Sequence, residues 1–198
     1  LYDEDRNPIG EFTSDDEGYV YITADDLPDG ANTSGRFYLR ELEAAEGYIL
    51  DKEYKTVYVR PGRTAEIEWV NEAITGQIQI YKYAAEANPV TGAPAGTPLQ
   101  GAVYEIIHER SGRVVDYITT DVRGVAASKP LPLTRYKIRE VSAPAYFQLD
   151  PTVYTVEITE NGKVYEVKTP GYEGVANAPV PGSISIQKVD SHGNPMPG

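Results

Sequence analysis

The most reactive position suggested by the sequence is a lysine that ends an alternating apolar run. In "GQIQIYK", Ile78, Ile80 and Lys82 share one parity, while glutamine and tyrosine occupy the other. Successive side chains of a β-strand point to opposite faces, so Lys82 is expected on the same face as the two isoleucines. An ammonium group on a core face is costly to bury, and it either pairs with a carboxylate or loses its proton.

A glutamate in a second alternating run could be that partner. In "YKIRE", Glu140 has the same parity as Tyr136 and Ile138, which predicts that its carboxyl group also points into a core. One interpretation is a buried Lys–Glu salt bridge, which matches apolar packing in stability only when its geometry is good. The other interpretation is reactive, because the neutral amine of Lys82 would be a nucleophile.

An asparagine could serve as the electrophile for this amine. A protonated Glu140 could donate a hydrogen bond to a carboxamide oxygen and so polarise the carboxamide carbon for attack. A fold that holds amine and carboxamide together supplies effective molarities of about 10⁵ to 10⁸ M. The product would be an isopeptide bond between the two side chains, formed once with loss of ammonia.

The chain repeats itself with a period of roughly a hundred residues, which indicates tandem modules. Residues 37–51, "FYLRELEAAEGYILD", align without a gap with residues 136–150, "YKIREVSAPAYFQLD". Glu41 therefore corresponds to Glu140 and is predicted to be its equivalent in a preceding module.

A second match places asparagines and lysines in one register. Asn71 lies eleven residues before Lys82, and Asn177 lies eleven residues before Lys188. In both stretches a glycine stands six residues before the lysine. The register makes Asn71 and Asn177 equivalent, and it puts Lys188 on a strand of the same kind as Lys82.

This register predicts three segments. Residues 1–72 are the C-terminal two-thirds of a first module, residues 73–180 are a complete module, and residues 181–198 are the first strand of a truncated third module. Both termini look like cuts through a longer polypeptide. The lysine that would serve Asn71 is therefore expected upstream of Leu1.

Two interpretations of Lys188 are open. Its strand could enter the first module of another molecule, as donor strands do, and bond to Asn71. Alternatively, both ends of the chain are simply frayed, or the missing N-terminal strands remain attached as a separate chain.

Composition favours an all-β fold. The 198 residues are 40% apolar and include 16 Tyr but only 3 Phe, 1 Trp and 1 Met. Runs such as "AVYEIIHE" and "VYTVEITE" alternate apolar and polar residues between Gly, Pro and Asn turns. Six or seven short antiparallel strands of this kind predict a two-sheet sandwich for the complete module.

Charge and composition also argue against several functions. A formal net charge of -12 would repel nucleic acid. No Cys is present, so disulfides and Cys-ligated zinc are excluded. No apolar segment is long enough to span a bilayer, so no membrane insertion is expected in this segment. Neither a metal-ligand pattern nor a hydrolase elbow is present, and no cofactor is expected.

The motifs described above resemble the Cna-B-type (SpaA-like, prealbumin-like) repeat of Gram-positive surface proteins and sortase-assembled pilins. The matching stretches contain the Lys strands "GQIQIYK" and "GSISIQKVD", the Glu strands "YKIREVSAP" and "FYLRELEAAEGY", and the Asn strands "GVANAP" and "EWVNEA". The resemblance implies tandem Ig-like/prealbumin-like antiparallel β-sandwich modules. It further implies an isopeptide bond between Lys82 and Asn177 that is assisted by Glu140.

The resemblance implies a structural function. Such modules would form a rigid stalk of an adhesin or pilus-related protein on the cell wall of a Gram-positive bacterium, with neighbouring repeats of the same polypeptide as partners. The alternative is an adhesin module that binds a host protein or glycan through its Tyr-rich strands or through the inserted segment "AAEANPVTGAPAGTPLQ" (residues 84–100). An enzyme with turnover is not expected, since the cross-linking groups would be consumed.

Two further motifs are interpreted as structural. "LPLTR" resembles a sorting signal, but Arg135 replaces its glycine and no apolar, basic tail follows, so a strand is expected there instead. The acidic stretches "TSDDEG" and "ITADDLPDG" do not have the ligand order of an EF-hand loop. They are expected to be solvated turns, and no metal site is predicted.

Overall fold

The computed structural model describes residues 1–196 and divides into two compact units, Leu1–Ile74 and a second unit that begins at Thr75. Regular structure in the described residues is β-strand, apart from one 3₁₀ turn at Ala24–Asp26. No helix in this part of the chain has the length and apolar character needed to cross a membrane. The fold is all-β, as the alternating runs predict.

The first unit is built around a pair of antiparallel strands, β1 (Gly35–Leu39) and β2 (Lys55–Val59). The N-terminal segment extends this pair, because Tyr2 and Tyr38 exchange backbone hydrogen bonds of 2.8 and 3.0 Å. Phe37 at the centre of β1 is buried. Alternation along β1 therefore separates an apolar inner face from an outer face open to solvent.

The second unit contains two sheets of short strands. In the first sheet the long central strand is β3 (Thr75–Ala84), and it pairs with β6 (Val125–Ala127), β7 (Leu131–Pro132), β10 (Val164–Val167) and β11 (Val175–Asn177). The second sheet has the order β5-β4-β8-β9, made of β5 (Val114–Thr119), β4 (Val103–His108), β8 (Arg135–Ser142) and β9 (Val153–Glu157). The stretch "LPLTR" thus contains β7 and the first residue of β8.

The sheet around β3 is mixed, whereas alternation alone suggested antiparallel strands only. Strands β6 and β7 run antiparallel to β3, but β10 and β11 run parallel to it. The chain leaves β9 in the opposite sheet and crosses over before β10, and this crossover permits a parallel pairing. As a result, the first and last strands of the unit lie side by side and point the same way.

One apolar core joins the two sheets. It contains Ile78 and Ile80 from β3, Ile106 from β4 and Ile138 from β8, all with no exposed surface. Burying each such side chain contributes about 1.5–3 kcal/mol. The core fixes which face of β3 points inward, and with it the direction of every other side chain on that strand.

The segment after Asn177 contributes no strand among its described residues. Ile184 and Ile186 are 90% and 87% exposed, and residues 182–188 pair with no neighbour in a ladder. A bridge between Val189 and Pro195 forms a local turn. The last two residues of the segment predicted as 181–198 lie outside the described residues.

Candidate functional site

Lys82 lies on the central strand of the first sheet, and its side chain has no exposed surface. Its backbone N–H donates to the Gly124 carbonyl at 2.7 Å, and its own carbonyl accepts from the Leu99 N–H at 2.9 Å. On the other edge, β11 pairs in register with β3, with Val175 opposite Lys82. The backbone of Lys82 is therefore fixed from both sides.

Glu140 approaches from the opposite sheet. It lies on β8 opposite Tyr104 of β4 and is 4% exposed. One carboxyl oxygen, Oε2, accepts a 2.7 Å hydrogen bond from the backbone N–H of Asp150. This contact holds the carboxyl group at one orientation within the core.

Asn177 at the end of β11 completes the arrangement. Its Nδ2 donates to both carboxyl oxygens of Glu140, at 3.0 and 3.1 Å. Its Oδ1 accepts from the Nζ of Lys82 at 2.5 Å, and that Nζ lies 3.4 Å from each Glu140 oxygen. The structure thus brings all three side chains into one closed triangle of hydrogen bonds, buried away from water.

The carboxamide of Asn177 is oriented differently from the arrangement expected from sequence. Glu140 was expected to donate to the carboxamide oxygen, but that oxygen faces Lys82 and the amide nitrogen faces Glu140. This orientation follows from the hydrogen-bonding capacity of the two partners, because an ammonium group can only donate and a carboxylate can only accept. Glu140 is therefore next to the nitrogen that would leave.

Burial is the largest influence on the pKa of the Lys82 amine. It lowers the pKa of Lys82 from the ordinary value of 10.5, and the nearby carboxylates of Glu140 and Asp150 partly oppose this effect. A buried cation is destabilised by the loss of hydration, which favours the neutral amine. The site therefore combines a desolvated amine with a proton acceptor and a carboxamide.

Sequence reasoning missed two residues around this triangle. Tyr104 is fully buried, its hydroxyl has no hydrogen-bond partner among residues 1–196, and its ring centroid lies 5.4 Å from the Lys82 Nζ. Asp150 supplies the backbone N–H that orients Glu140. The repeated "LD", which contains Asp51 and Asp150, is a sequence signal that could have identified Asp150. The alternation of β4 does not distinguish Tyr104 from an ordinary core aromatic residue.

The first unit contains a matching pair. Asn71 Nδ2 donates to Glu41 Oε1 at 2.6 Å, and the Asp51 N–H donates to Glu41 Oε2 at 2.8 Å. Within residues 1–196, no Lys or Arg forms an ion pair with Glu41. The pair thus repeats the asparagine–glutamate hydrogen bond and the backbone N–H contact of the second unit, except that Asn71 donates to one carboxyl oxygen of Glu41 and not to both.

The other residues considered from the sequence, Lys188 and the acidic stretches, lie outside the Lys82–Glu140–Asn177 triangle. Lys188 is exposed and lies in no strand. In the acidic stretch "TSDDEG", the carboxylate of Asp15 accepts backbone hydrogen bonds from Glu17 and Tyr19 and is therefore used within its own turn. Among the described residues, no group of three or more His, Asp or Glu side chains is arranged to hold a metal ion.

Comparison with known proteins shows the same fold. The family described as the SpaA prealbumin-like fold domain matches residues 1–73 and 76–172. The trypsin-resistant surface T6 protein of Streptococcus pyogenes serotype M6 is 37% identical over 73 residues, which are 37% of this chain and 13% of that protein.

Two solved structures are also similar. The Bacillus anthracis TIE protein is 27% identical with a TM-score of 0.60, covering 85% of this chain and 28% of that one. The minor pilin GBS52 of Streptococcus agalactiae is 16% identical with a TM-score of 0.45, covering 82% of this chain and 67% of its own. This chain spans well under half the length of the T6 and TIE proteins.

Proposed function

The chain belongs to the SpaA prealbumin-like fold domain family, and on this basis we propose that it forms stalk modules of an adhesin or pilus-related surface protein. The protein would lie outside the cell, at the wall of a Gram-positive bacterium, with neighbouring modules of its own polypeptide as partners. The T6 relative is itself named as a surface protein. In this function the chain performs no catalytic turnover.

The observation that carries the proposal is the buried triangle of Lys82, Glu140 and Asn177. We propose that it forms an isopeptide bond between Lys82 and Asn177. The reacting amine and carboxamide are in direct contact, the amine is desolvated, and a carboxyl group contacts both nitrogens. Such an arrangement replaces a slow bimolecular reaction by an effectively unimolecular one.

The contacts define a balanced sequence of steps. The ammonium of Lys82 gives one proton to the carboxylate of Glu140, and the neutral Nζ attacks the Cγ of Asn177 to form the Nζ–Cγ bond. Glu140 then protonates Nδ2 while it takes a second proton from Nζ, the Cγ–Nδ2 bond breaks and ammonia leaves. Glu140 ends protonated, so no unpaired charge remains in the core.

The bond would suit a tethered surface protein without cysteine. Strands β3 and β11 are the first and last strands of the second unit and lie next to each other. A covalent link between them would pass tension from one end of the unit to the other without separating the two sheets. It would thereby replace the disulfides that this sequence lacks.

Intact mass of the purified chain tests the bond. The expected mass is lower than the sequence mass by one ammonia, and peptide mapping should give a branched peptide that joins Lys82 to Asn177. Glu140→Gln should restore the full mass because it removes the proton acceptor. Glu105→Gln is the matched control: Glu105 is also buried, on β4, but pairs with Arg139 outside the triangle, so this variant should keep the lower mass. A wild-type chain of full sequence mass would rule out the bond.

We extend the proposal to the first unit. Glu41 and Asn71 would accept a lysine that arrives on a strand of the same kind as β3, with two isoleucines preceding the lysine at alternate positions. Residues 184–188 have this pattern, and their isoleucines are exposed. Lys188 of another molecule is therefore a candidate donor for Asn71.

A second candidate function is a binding module for a host protein or glycan. The observation that favours it is the exposure of large aromatic side chains on the first unit, where Tyr21 is 73% and Tyr58 is 66% exposed. Tyrosine is enriched in binding surfaces because its ring packs while its hydroxyl stays hydrated.

A further inference from the structure

The outer face of β1 and β2 carries exposed arginines that have no acidic partner. This tyrosine–arginine face consists of Arg6, Arg36, Tyr38, Arg40, Tyr54 and Tyr58. Within the described part of the chain, none of its three arginines forms an ion pair with a carboxylate. This is unexpected in a chain with 30 acidic and 18 basic residues.

The arginines are held by aromatic rings instead. The guanidinium of Arg6 lies 5.1 Å from the ring centroid of Tyr38 and 5.0 Å from that of Tyr54. Arg36 lies 5.9 Å from the Tyr38 centroid, and Arg40 lies 5.7 Å from the Tyr54 centroid. Cation–π contacts of this kind attract a guanidinium to the aromatic rings and do not use a carboxylate.

The second unit provides an internal comparison, because its β8 and β9 correspond to β1 and β2. Arg135 is opposite Glu157 in the strand register and pairs with it at 3.0 Å. Arg36, the equivalent of Arg135, is opposite Tyr58. A tyrosine thus stands where the second unit has the neutralising glutamate.

The other basic residues of this second face are also neutralised. Arg139, the equivalent of Arg40, pairs with Glu105, and Lys137 lies 3.6 Å from Glu109. The same sheet face is therefore ion-paired within the second unit, whereas in the described residues of the first unit its arginines contact tyrosine side chains instead.

We propose that the tyrosine–arginine face is a docking surface for an acidic polypeptide segment, whose Asp and Glu carboxylates pair with Arg6, Arg36 and Arg40 as Glu157 pairs with Arg135 in the second unit. Guanidinium groups bind carboxylates through paired N–H donors. Tyrosine and arginine are also the residue types that dominate the binding energy of protein interfaces. The proposal is independent of the cross-link.

The geometry favours carboxylate side chains over sugar rings. Sugars bind aromatic residues by stacking on a free ring face, but Arg6 lies over both Tyr38 and Tyr54. Tyr58 remains 66% exposed at the edge of the face and can pack against an adjacent polypeptide. The surface is thus arranged for charge pairing with aromatic packing at its margin.

The test measures binding of a fluorescein-labelled oligoglutamate peptide by fluorescence anisotropy. Wild type should bind, and binding should weaken as salt is added. Tyr58→Glu should recreate the pair seen between Arg135 and Glu157 and should weaken binding about tenfold, as expected for adding a like charge to the site. Arg135→Gln, on the corresponding face of the second unit, should bind as wild type does.

Three results would overturn the proposal: no binding of the peptide by folded wild type, equal binding by wild type and Tyr58→Glu, or preferential binding of the sulfated polysaccharide heparin. Circular dichroism of each variant shows whether it is folded. Glu140→Gln should bind the peptide normally, which separates failure of this proposal from failure of the cross-link.

Discussion

Lys82 and Glu140 form a buried pair, and two opposing effects act on the pKa of Lys82. Burial lowers the pKa of Lys82, and the carboxylates of Glu140 and Asp150 raise it again. Replacing Glu140 by Gln removes one of these carboxylates, so the folded-state pKa of Lys82 stays below 10.5. The unfolded chain then binds more protons than the folded chain at any pH between these two values.

This difference predicts that the stability of Glu140→Gln rises with pH. Its free energy of unfolding should increase by up to about 1.4 kcal/mol per pH unit as the pH rises from the lowered pKa of Lys82 towards 10.5. Urea unfolding at several pH values measures the slope. The double variant Lys82→Met/Glu140→Gln has no titrating amine at this position and should lose this contribution. Identical pH profiles for the two variants would contradict the prediction.

The residues of the triangle differ in how far sequence could identify them. Alternation along β3 and β8 predicts that Lys82 and Glu140 point inward, and the structure buries both. Asn177 ends a three-residue strand, too short for a period to be seen, so only the repeat and the family resemblance selected it. Tyr104 could not be assigned, because its importance depends on a neighbour in the opposite sheet.

Strand β11 matters because it delivers Asn177 to β3. Its position depends on a close backbone approach just before it: a Cβ on Gly174 would lie 2.3 Å from the carbonyl oxygen of Tyr81. Any larger residue at Gly174 must push β11 away from the strand that carries Lys82.

Gly174→Ala is therefore expected to reduce cross-linking. Overpacking of this kind costs about 1–3 kcal/mol. The fraction of chain with the lower mass should fall, as measured by intact mass spectrometry. Gly182→Ala is the matched control, because a Cβ there meets no atom within 4 Å. Complete cross-linking of Gly174→Ala would show that β11 tolerates the displacement.

Strand direction was the part of the fold that sequence could not supply. Alternation assigns a face to each residue, but it does not say which strand lies beside which. The parallel pairing of β10 and β11 with β3 depends on a crossover between sheets, and no local pattern encodes it. The all-β class, in contrast, follows directly from period-2 runs between turns.

The whole second unit should gain stability from the proposed bond, since Lys82 and Asn177 are 95 residues apart. Closing a loop of this length restricts the unfolded chain and contributes about 4 to 5 kcal/mol in the loop-entropy account. Lys82→Met/Glu140→Gln, which removes the bond and both buried charges, should melt about 15 °C or more below wild type. Calorimetry measures the difference. Equal melting temperatures, with the bond present in wild type, would exclude a stabilising role.

The contact between Glu41 and Asn71 in the first unit leads to a separate prediction. A synthetic peptide of residues 181–190, added in excess to the chain, should form a covalent adduct with Asn71 and release ammonia. Denaturing gels and mass spectrometry detect the adduct. Asn71→Ala, or a peptide with Lys188→Ala, should abolish it. The absence of any adduct with the unaltered pair would show that Glu41 and Asn71 have only a structural role.

The position of the long connection after β3 has a consequence for digestion by proteases. With Lys82 joined to Asn177, residues 82–177 form a closed ring, and this connection, where Val90 is 67% exposed, lies within it. A single cut beside Val90 would open the ring without releasing a fragment, because the two pieces would remain attached through the side-chain bond. A nicked molecule would thus keep its N-terminal and C-terminal parts together, even in denaturant.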